Sequence, residues 1–482
     1  MIVSFLAQST NPHRLALSDE TERLTWADMH ARIAAFADHF RASGVKAGDP
    51  VLITLPKGCD AVCALLAALA IGAIAVPLDY RTPDRRKASV IERMAPRLEV
   101  TQAIADAVRA GAPDAASFQP TAIEPGHPAL VLMSSGTTGT PKAITISHGN
   151  LSAFVTWATE AFSLGSSDHI LSVAPLHFDL ATFDIFAGLG AGAHVHLLSE
   201  IEASFPAKVA TVSRREGATL IYAVPTVYAM IARLHETAMP AFRWVLFAGE
   251  VMSAPTLQAL RRFAPNARLA NLYGPSETNV VTWHEVTEAD TSLVPIGRPC
   301  SGARVWIADA EGHSVPVGEE GEICVEGPSV FLGYWGDQDR TLGTRLDGRA
   351  TTYRTGDYGW QDASDILHLS GRRDRQIKVR GILVSLDEIE AVASQSHLVQ
   401  ACAVVQYSSG LIDTNLHLFI VVDDRTVDAR KEVRDWLCGR LPRVCVPGRI
   451  TVVEALPRTL NGKIDRQALD SKSKEIQRGH WL

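Results

Sequence analysis

Short apolar runs separated by helix-length stretches are the feature of this chain that most constrains its fold. They recur through the first half of the sequence as VLITL at 51–55, LVLM at 130–133, HILSV at 169–173, HVHLL at 194–198, TLIYA at 219–223 and WVLFA at 244–248. Strands that are continuously apolar are typically buried on both faces, and alternation with helices is typical of parallel sheets. The sequence therefore predicts an α/β protein whose sheets are covered by helices on both sides.

One N-terminal helix is predicted in detail by local signals. Thr25 is a suitable N-cap, and Gly44 is a suitable stop signal. Between them, apolar residues recur at helical spacing and form one buried face: Met29, Ile33, Phe36 and Phe40.

An uncharged stretch at 61–78, AVCALLAALAIGAIAVPL, approaches the length of a membrane span. The stretch is rich in alanine, contains Gly72 and Pro77, and follows the strand-like run VLITL. This pattern is more typical of a buried helix that ends near Gly72, followed by a buried strand AIAVPL. We therefore expect no association with a membrane, although a membrane-bound transporter component is the alternative for this stretch.

The organisation changes after about residue 300, where shorter strands and turns such as ARVWIAD, GEICVEG and ILHLS follow one another. The charged run GRRDRQIKVRG at 371–381 is the best candidate for a domain boundary. We expect a large N-terminal core over residues 1–373 and a small, mobile α+β lobe over residues 374–482.

Charge and cysteine content argue against a nucleic-acid-binding protein and against a zinc protein. Lys and Arg total 46 against 53 Asp and Glu, a formal charge of -7, which argues against nucleic acid as a partner. The seven cysteines include no CxxC pair, and no histidine cluster completes a zinc site. We expect reduced thiols in a cytoplasmic protein.

A loop rich in glycine and hydroxyl side chains, SSGTTGTPKA from Ser134 to Ala143, follows a buried apolar run. Its backbone N–H groups, hydroxyls and the Lys142 ammonium are groups that bind polyphosphates. The loop lacks the Gly-Lys-Ser/Thr spacing of a Walker A motif, and by itself it could equally be an ordinary loop.

Four further motifs follow in order: NLYGPSETN at 271–279, YRTGDYG at 353–359, GRRDRQIKVRG at 371–381 and PRTLNGKIDR at 457–466. Together, the five resemble the adenylate-forming superfamily of acyl-CoA synthetases, luciferases and adenylation domains of nonribosomal peptide synthesis. The resemblance covers nearly the whole chain. It implies a body of α/β subdomains plus a β-barrel-like piece, and a mobile C-terminal lobe. It also implies ATP and Mg²⁺ as cofactors.

The resemblance assigns roles residue by residue. It implies that Thr137, Thr138 and Lys142 hold phosphates, that Glu277 holds Mg²⁺, and that Lys463 contacts both the carboxylate and the α-phosphate. Thr138, Glu277 and Lys463 would be the catalytic residues. The implied nucleotide contacts are Ser135, Gly136, Gly249, Asn271, Leu272, Tyr273, Gly274, Asp357 and Arg372, with Asn271 on the adenine edge, Tyr273 on its face, and Asp357 and Arg372 on the ribose. Asp374 would be the hinge.

Several of these residues could also have a purely structural role when each is considered alone. Asp357 could be a turn residue, Arg372 and Lys378 could lie on a solvated face, and Lys463 could be a turn lysine.

The stretch PLHFDLATFDIF at 175–186 bears on the kind of acid that is activated. Amino-acid-activating members of the superfamily have an aspartate after phenylalanine here, and Asp179 occupies that position. A buried substrate ammonium requires such a charged partner. The alternative is that Asp179 only caps the following helix.

The remaining pocket positions of such enzymes fall on Leu180, Phe183, Tyr222, Leu246, Ala248, Leu272, Val280 and Val281. These side chains favour a small apolar substrate side chain, and the set resembles that of stand-alone enzymes that load L-proline onto a carrier protein. A proline analogue, another small aliphatic amino acid and D-alanine remain alternatives.

The chain ends 16 residues after Arg466, so we expect the acceptor thiol to belong to a separate carrier protein, with free coenzyme A as the alternative. Two competing functions stay open at this stage. One is an acyl- or aryl-CoA ligase, and the other is a nucleotide-binding scaffold that has lost catalysis.

Overall fold

The computed structural model describes residues 11–111, 120–134, 142–232, 234, 239, 241–291, 293–372, 375–407, 415–422, 428–458 and 464–477. The strands in chain order are β1 (Leu15–Ser18), β2 (Arg23–Thr25), β3 (Pro50–Ile53), β4 (Ile74–Pro77), β5 (Leu98–Val100), β6 (Pro128–Ser134), β7 (Lys142–Ser147), β8 (His169–Ser172), β9 (His194–Leu197), β10 (Leu220–Ala223), β11 (Trp244–Ala248), β12 (Arg268–Tyr273), β13 (Thr282–Glu285), β14 (Arg298–Pro299), β15 (Arg304–Ala308), β16 (Gly321–Glu326), β17 (Gly333–Tyr334), β18 (Thr352–Gln361), β19 (Leu367–Arg372), β20 (Gln376–Val379), β21 (Ile382–Ser385), β22 (Val399–Tyr407), β23 (Asn415–Val422) and β24 (Arg449–Val452).

The α-helices are α1 (Trp26–Ala42), α2 (Cys59–Ala70), α3 (Asp84–Met94), α4 (Gln102–Ala110), α5 (His148–Ala161), α6 (Glu200–Ala203), α7 (Pro206–Arg215), α8 (Pro225–Ala232), α9 (Ala254–Phe263), α10 (Gln338–Gly343), α11 (Leu386–Ser394), α12 (Ala429–Cys438) and α13 (Arg466–Gln477). A π-helical turn covers Phe183–Gly188, and a 3₁₀ turn covers Arg443–Cys445.

The described residues fall into two compact units. The larger unit lies within Met1–Tyr80, Met94–Met133 and Ala143–Arg373, and the smaller within Arg81–Arg93, Ser134–Lys142 and Asp374–Leu482. The smaller unit thus includes two segments that the sequence analysis placed in the N-terminal core. The assignment of functions to a core and a mobile lobe stays a prediction.

Helix α1 forms as the local signals predicted. The Thr25 side chain accepts a hydrogen bond from the Asp28 backbone N–H, and the Asp28 carboxylate bonds back to Thr25 in a capping box. The helix ends at Ala42, and Gly44 follows with φ +78°, a left-handed conformation that glycine adopts without strain.

The apolar stretch at 61–78 also folds as predicted. It forms most of the buried helix α2, turns at Gly72 and continues as the buried strand β4. Strand β4 lies inside a six-stranded sheet of order β17-β7-β6-β4-β3-β5. Among the helices within the described ranges, none has the length and apolar character needed to cross a bilayer.

A nine-stranded sheet, of order β14-β13-β12-β11-β10-β8-β9-β1-β2, supports the candidate site. The six central strands pair in parallel: β12, β11, β10, β8, β9 and β1. Strand β2 at one edge and strands β13 and β14 at the other pair antiparallel. The two faces of strands β10 to β12 pack into separate apolar clusters, so both faces are covered, as the continuous apolar runs predicted.

The β-rich piece predicted after residue 300 is a four-stranded antiparallel sheet, of order β15-β16-β18-β19. All seven cysteines are free thiols, in agreement with their sequence spacing.

The smaller unit has its own core. Strands β22, β23 and β24 form a three-stranded sheet, with helices α11 and α12 packed in one apolar cluster and α13 in another. Arg86 of α3 forms an ion pair of 3.1 Å with Glu388 of α11 inside this unit. This is the α+β lobe that the sequence predicted.

Candidate active site

Three parallel strands place predicted pocket residues side by side. Tyr222 of β10 is the register partner of Leu246 of β11, and Ala248 of β11 is the partner of Leu272 of β12. Because side chains alternate along a strand, these four residues share one face of the sheet. They belong to one apolar cluster, whereas Phe247 of β11 packs into the cluster on the opposite face.

The π-helical turn adds an aromatic wall to this face. Its first residue, Phe183, packs edge-on against Tyr222 with ring centroids 5.4 Å apart. π-Turns within helices are uncommon and often occur at functional sites.

The segment after β12 completes the apolar set. Val280 and Val281 are buried in the same cluster, and Leu180 packs against it. Gly274 is required for the close approach of this segment, because a Cβ atom there would lie 1.6 Å from the Asn279 carbonyl oxygen. All eight predicted apolar pocket residues therefore belong to one large apolar cluster or pack against it.

Asp179 lies at the margin of this apolar set, just before the π-turn. Its Oδ2 accepts a hydrogen bond of 2.6 Å from the Ser276 hydroxyl, and the side chain is half-buried. Burial, and next the nearby Asp179 carboxylate, raise the pKa of Tyr222 well above its ordinary value. The Asp179 carboxylate thus bonds to the Ser276 loop, and its pairing with a substrate ammonium stays a prediction.

A second hydrogen-bonded link joins the segment at 179–182 to the segment at 276–279. The Asn279 amide donates to the Thr182 hydroxyl at 2.9 Å, and Thr182 in turn bonds to the Asp179 carbonyl oxygen. The loop that carries Ser276 and Glu277 is thus tied to the turn that carries Asp179.

Glu277, the predicted Mg²⁺ ligand, is buried, and its Oε1 accepts a hydrogen bond of 2.8 Å from the Tyr334 hydroxyl. Within the ranges that the structure describes, Oε2 accepts no hydrogen bond. A carboxylate oxygen with free acceptor capacity fits a hard divalent cation. The bond from the Phe331 N–H to the Glu277 carbonyl, 2.8 Å, fixes the backbone.

Asp357 and Arg372, the predicted ribose contacts, are register partners on β18 and β19. Arg372 donates to Asp357 Oδ1 at 2.9 Å, and the Tyr273 hydroxyl donates to Oδ2 at 2.7 Å. Asp357 is thus a buried strand residue and not a turn residue, and Arg372 is paired and not merely solvated. The adjacent Gly356, φ +73°, leaves room for the guanidinium, which would lie 2.6 Å from a Cβ atom.

The remaining predicted nucleotide contacts divide into three groups. Asn271 donates from Nδ2 to the Pro295 carbonyl at 2.8 Å, and Gly249 follows β11 with φ +86°. Lys142 is the first residue of β7 and belongs to the smaller unit. Some predictions fall outside the described residues: Ser135, Gly136, Thr137, Thr138, Asp374 and Lys463.

Sequence reasoning missed four polar residues around the pocket. Ser276 and Tyr334 bond directly to the predicted residues Asp179 and Glu277. Lys57 and Asp184 are both buried, and Lys57 donates to the Ser172 carbonyl oxygen at 2.7 Å. Asp184 did carry a signal, because it is a lone charge in the apolar run LATFDIFAGL.

Comparison with known proteins gives a match over nearly the whole chain. A family model described as "AMP-binding enzyme" matches residues 6–335, and one described as "AMP-binding enzyme C-terminal domain" matches residues 388–463. A relative from Pseudomonas fluorescens, named L-proline--[L-prolyl-carrier protein] ligase, is 35% identical, with 95% of this chain and 96% of the relative covered. A protein of the same name from Streptomyces coelicolor is 32% identical, with 93% and 92% covered.

A solved structure agrees with this match. The amide bond synthetase McbA from Marinactinospora thermotolerans superposes with a TM-score of 0.85 at 25% identity, over 98% of this chain and 99% of that one. This likeness confirms the predicted fold class.

Proposed function

The chain belongs to the AMP-binding enzyme family, as its motifs predicted, and on that premise we propose that it is an ATP-dependent ligase that activates a small apolar amino acid. The aminoacyl adenylate would then be passed to the phosphopantetheine thiol of a separate carrier protein. The observation that carries this proposal is the half-buried Asp179 carboxylate, which precedes the π-turn that carries Phe183 and is bonded to Ser276.

The proposed reaction has two balanced steps. In the first, a carboxylate oxygen of the amino acid attacks the α-phosphorus of ATP, the bond to the bridging oxygen breaks, and pyrophosphate leaves. In the second, the thiol loses its proton to water and attacks the acyl carbon, so that a thioester forms and AMP leaves. Negative charge grows on the phosphoryl group in the first step, where fixed cations and N–H donors are most effective.

The residues divide the work of the first step. Asp179 pairs with the substrate ammonium, and Lys463 stabilises the charge on the carboxylate and the α-phosphate. Thr137, Thr138 and Lys142 hold the phosphates, while Asp357 and Arg372 orient the ribose. When bound, Mg²⁺ neutralises phosphate charge, and Glu277 is the residue that would hold it.

L-Proline is the substrate that we favour. The pocket walls are apolar, and Phe183 and Tyr222 fill much of the space in front of the sheet, which suits a small side chain without polar groups. Two relatives named as L-proline ligases support the same choice. A proline analogue, another small aliphatic amino acid and D-alanine are the competitors to measure.

The test is ATP–pyrophosphate exchange by the purified chain with the twenty amino acids, D-alanine and matching acids that lack the amine. Asp179→Asn keeps the shape of the side chain but removes its charge. We expect it to raise the KM for the amino acid about 10- to 100-fold, because a desolvated ammonium loses its partner, and to change the KM for ATP less than about twofold. Asp38→Asn, on the exposed side of α1, is the control, because it makes the same substitution at a surface aspartate that pairs with Arg41 of the same helix.

Each outcome has a definite meaning. A sharp response to L-proline that depends on Asp179 supports the proposal. A response only to acids without an amine would make the chain an acyl- or aryl-CoA ligase, and an unchanged KM in Asp179→Asn would refute the ammonium role. Failure to form an adenylate with any of these acids would favour the scaffold alternative.

A further inference from the structure

We propose that Arg345 is a positioning residue for Glu277, the predicted Mg²⁺ ligand, and that it acts through Phe331 and Tyr334. The role of Mg²⁺ rests on the proposed function, whereas the contacts of Arg345 are a property of the larger unit alone.

Arg345 is a buried cation that binds backbone carbonyl groups. It is 8% exposed, and its Nη1 donates to the Thr352 carbonyl oxygen at 2.7 Å. Its Nη2 donates to the carbonyl oxygens of Phe331 at 2.9 Å and Leu332 at 3.3 Å. Among the described residues, no carboxylate forms an ion pair with Arg345. A buried charge is costly unless its donors are bonded, so the guanidinium is fixed where these three carbonyl groups meet.

Phe331 connects Arg345 to the backbone of Glu277. The Phe331 carbonyl accepts from Arg345, and the Phe331 N–H donates to the Glu277 carbonyl oxygen at 2.8 Å. The guanidinium carbon also lies 4.6 Å from the centroid of the Phe331 ring, a distance typical of cation–π contacts. Both the backbone and the ring of Phe331 are thus held by Arg345.

Tyr334 carries the connection on to the carboxylate. The Phe331 ring packs edge-on against Tyr334, with centroids 4.9 Å apart, and against Tyr353, with centroids 5.5 Å apart. All three rings are buried, and the Tyr334 hydroxyl donates to Glu277 Oε1 at 2.8 Å. Arg345 therefore fixes the aromatic group that orients the carboxylate, without touching the carboxylate itself.

The geometry requires arginine in particular. A guanidinium presents its N–H donors as a rigid planar fork, whereas a lysine ammonium is a compact point charge on a flexible stem. Residues that hold a metal ligand from behind affect how tightly the metal binds. A change in Arg345 should therefore be felt as a change in metal affinity and not only as a loss of stability.

The test measures binding of Mn²⁺, a paramagnetic substitute for Mg²⁺, to the full chain in the presence of α,β-methylene-ATP. This nucleotide is not cleaved at the α-phosphate, and free Mn²⁺ is read from its electron paramagnetic resonance signal, so no turnover is needed. Arg345→Lys keeps the charge and removes the fork. Tyr334→Phe and the double variant Arg345→Lys/Tyr334→Phe complete a double-mutant cycle.

We expect Arg345→Lys to weaken Mn²⁺ binding about tenfold, at the lower end of the effect of changing the outer partners of a metal ligand. In the Tyr334→Phe background the same substitution should change Mn²⁺ affinity less than about twofold, because the link that it acts through is already cut. Hydrogen–deuterium exchange over residues 327–334 should be faster in Arg345→Lys.

Two more variants make the result specific. Phe331→Leu removes the ring between the guanidinium and Tyr334, should also weaken Mn²⁺ binding, and tests the same link where Arg345→Lys does not fold. Arg243→Lys is the matched control, because Arg243 donates to the carbonyl oxygens of Phe162 at 2.7 Å and Ser163 at 3.2 Å and pairs with Asp168. Arg243 precedes β11, at the strand end opposite to the predicted site. Its substitution should lower the thermal midpoint and leave Mn²⁺ affinity unchanged.

Glu277→Gln separates failure of this role from failure of the proposed function. If Glu277→Gln leaves Mn²⁺ binding unchanged, Glu277 does not hold the metal, and the role of Arg345 fails with it. If Glu277→Gln weakens binding but folded Arg345→Lys keeps the wild-type affinity and exchange, only the role of Arg345 is wrong. Additive losses in the double variant would also overturn it, because Arg345 would then act independently of Tyr334.

Discussion

Tyr334→Phe removes the hydrogen bond that holds the predicted metal ligand, together with the interaction between the Tyr334 and Tyr353 hydroxyls. Tyr334 and Glu277 are 4% and 6% exposed, and their oxygens are 2.8 Å apart. A hydrogen bond to a charged group contributes about 1.5–3 kcal/mol, and phenylalanine keeps the packing on Phe331, whose ring centroid is 4.9 Å away. At about 1.4 kcal/mol for each factor of ten, adenylation should fall about 10- to 100-fold if the orientation of Glu277 matters.

The pH dependence sharpens this prediction. Burial, and next the Glu277 carboxylate, raise the pKa of Tyr334 far above the range of an assay, so the phenol stays protonated and donates throughout. The ratio of wild-type to variant rates should therefore be constant between about pH 6 and about pH 9.

The assay is pyrophosphate exchange over a range of Mg²⁺ concentrations, together with the thermal midpoint of each protein. We expect Tyr334→Phe to need more Mg²⁺ for half-maximal rate. Tyr228→Phe is the control, because it removes a buried hydroxyl that donates 2.7 Å to a neutral acceptor, the Leu246 carbonyl. A folded Tyr334→Phe protein with the wild-type rate and Mg²⁺ dependence would refute the reasoning.

Two further predictions concern stability. Gly274→Ala should prevent correct closure of the pocket segment, because its Cβ would lie 1.6 Å from the Asn279 oxygen; soluble protein with wild-type exchange activity would contradict this. Glu216 has its pKa lowered to about 2: burial opposes the shift, and the bonds from Arg23 and Arg215 outweigh it. A depressed carboxylate pKa gives stability that is complete above about pH 4.5 and is lost as the pH falls toward about 2, so Glu216→Gln should lower the free energy of unfolding by at most about 3 kcal/mol at pH 7. In urea unfolding this gap should narrow below about pH 4.5, and a gap that widens on acidification would contradict the assignment.

Local signals predicted local structure well. Helix α1 formed between its N-cap and its stop glycine because cap, apolar spacing and stop all lie within a few turns of one another. The stretch at 61–78 also contained everything needed to predict a buried helix and strand. The eight apolar pocket residues came from resemblance, and the four on β10 to β12 share one face because these parallel strands are neighbours in register.

Contacts between distant segments could not be predicted in this way. The Tyr334 hydroxyl reaches a carboxylate 57 residues earlier in the chain, and no local pattern encodes that pairing. Lys57 and the Ser172 carbonyl that accepts its hydrogen bond are still further apart, at 115 residues. The order β10-β8-β9-β1 in the large sheet is likewise a tertiary result, since sequence patterns specify strands and not their neighbours.

The pocket walls are themselves part of the protein's interior. Phe183, Tyr222 and Leu246 are 0%, 2% and 0% exposed. A substitution that enlarges the space for substrate also opens a cavity in the core, which typically costs about 2–5 kcal/mol for a large aliphatic or aromatic side chain. The same side chains therefore affect both substrate preference and the free energy of unfolding. A variant that accepts a larger substrate needs compensating stabilisation elsewhere in the chain.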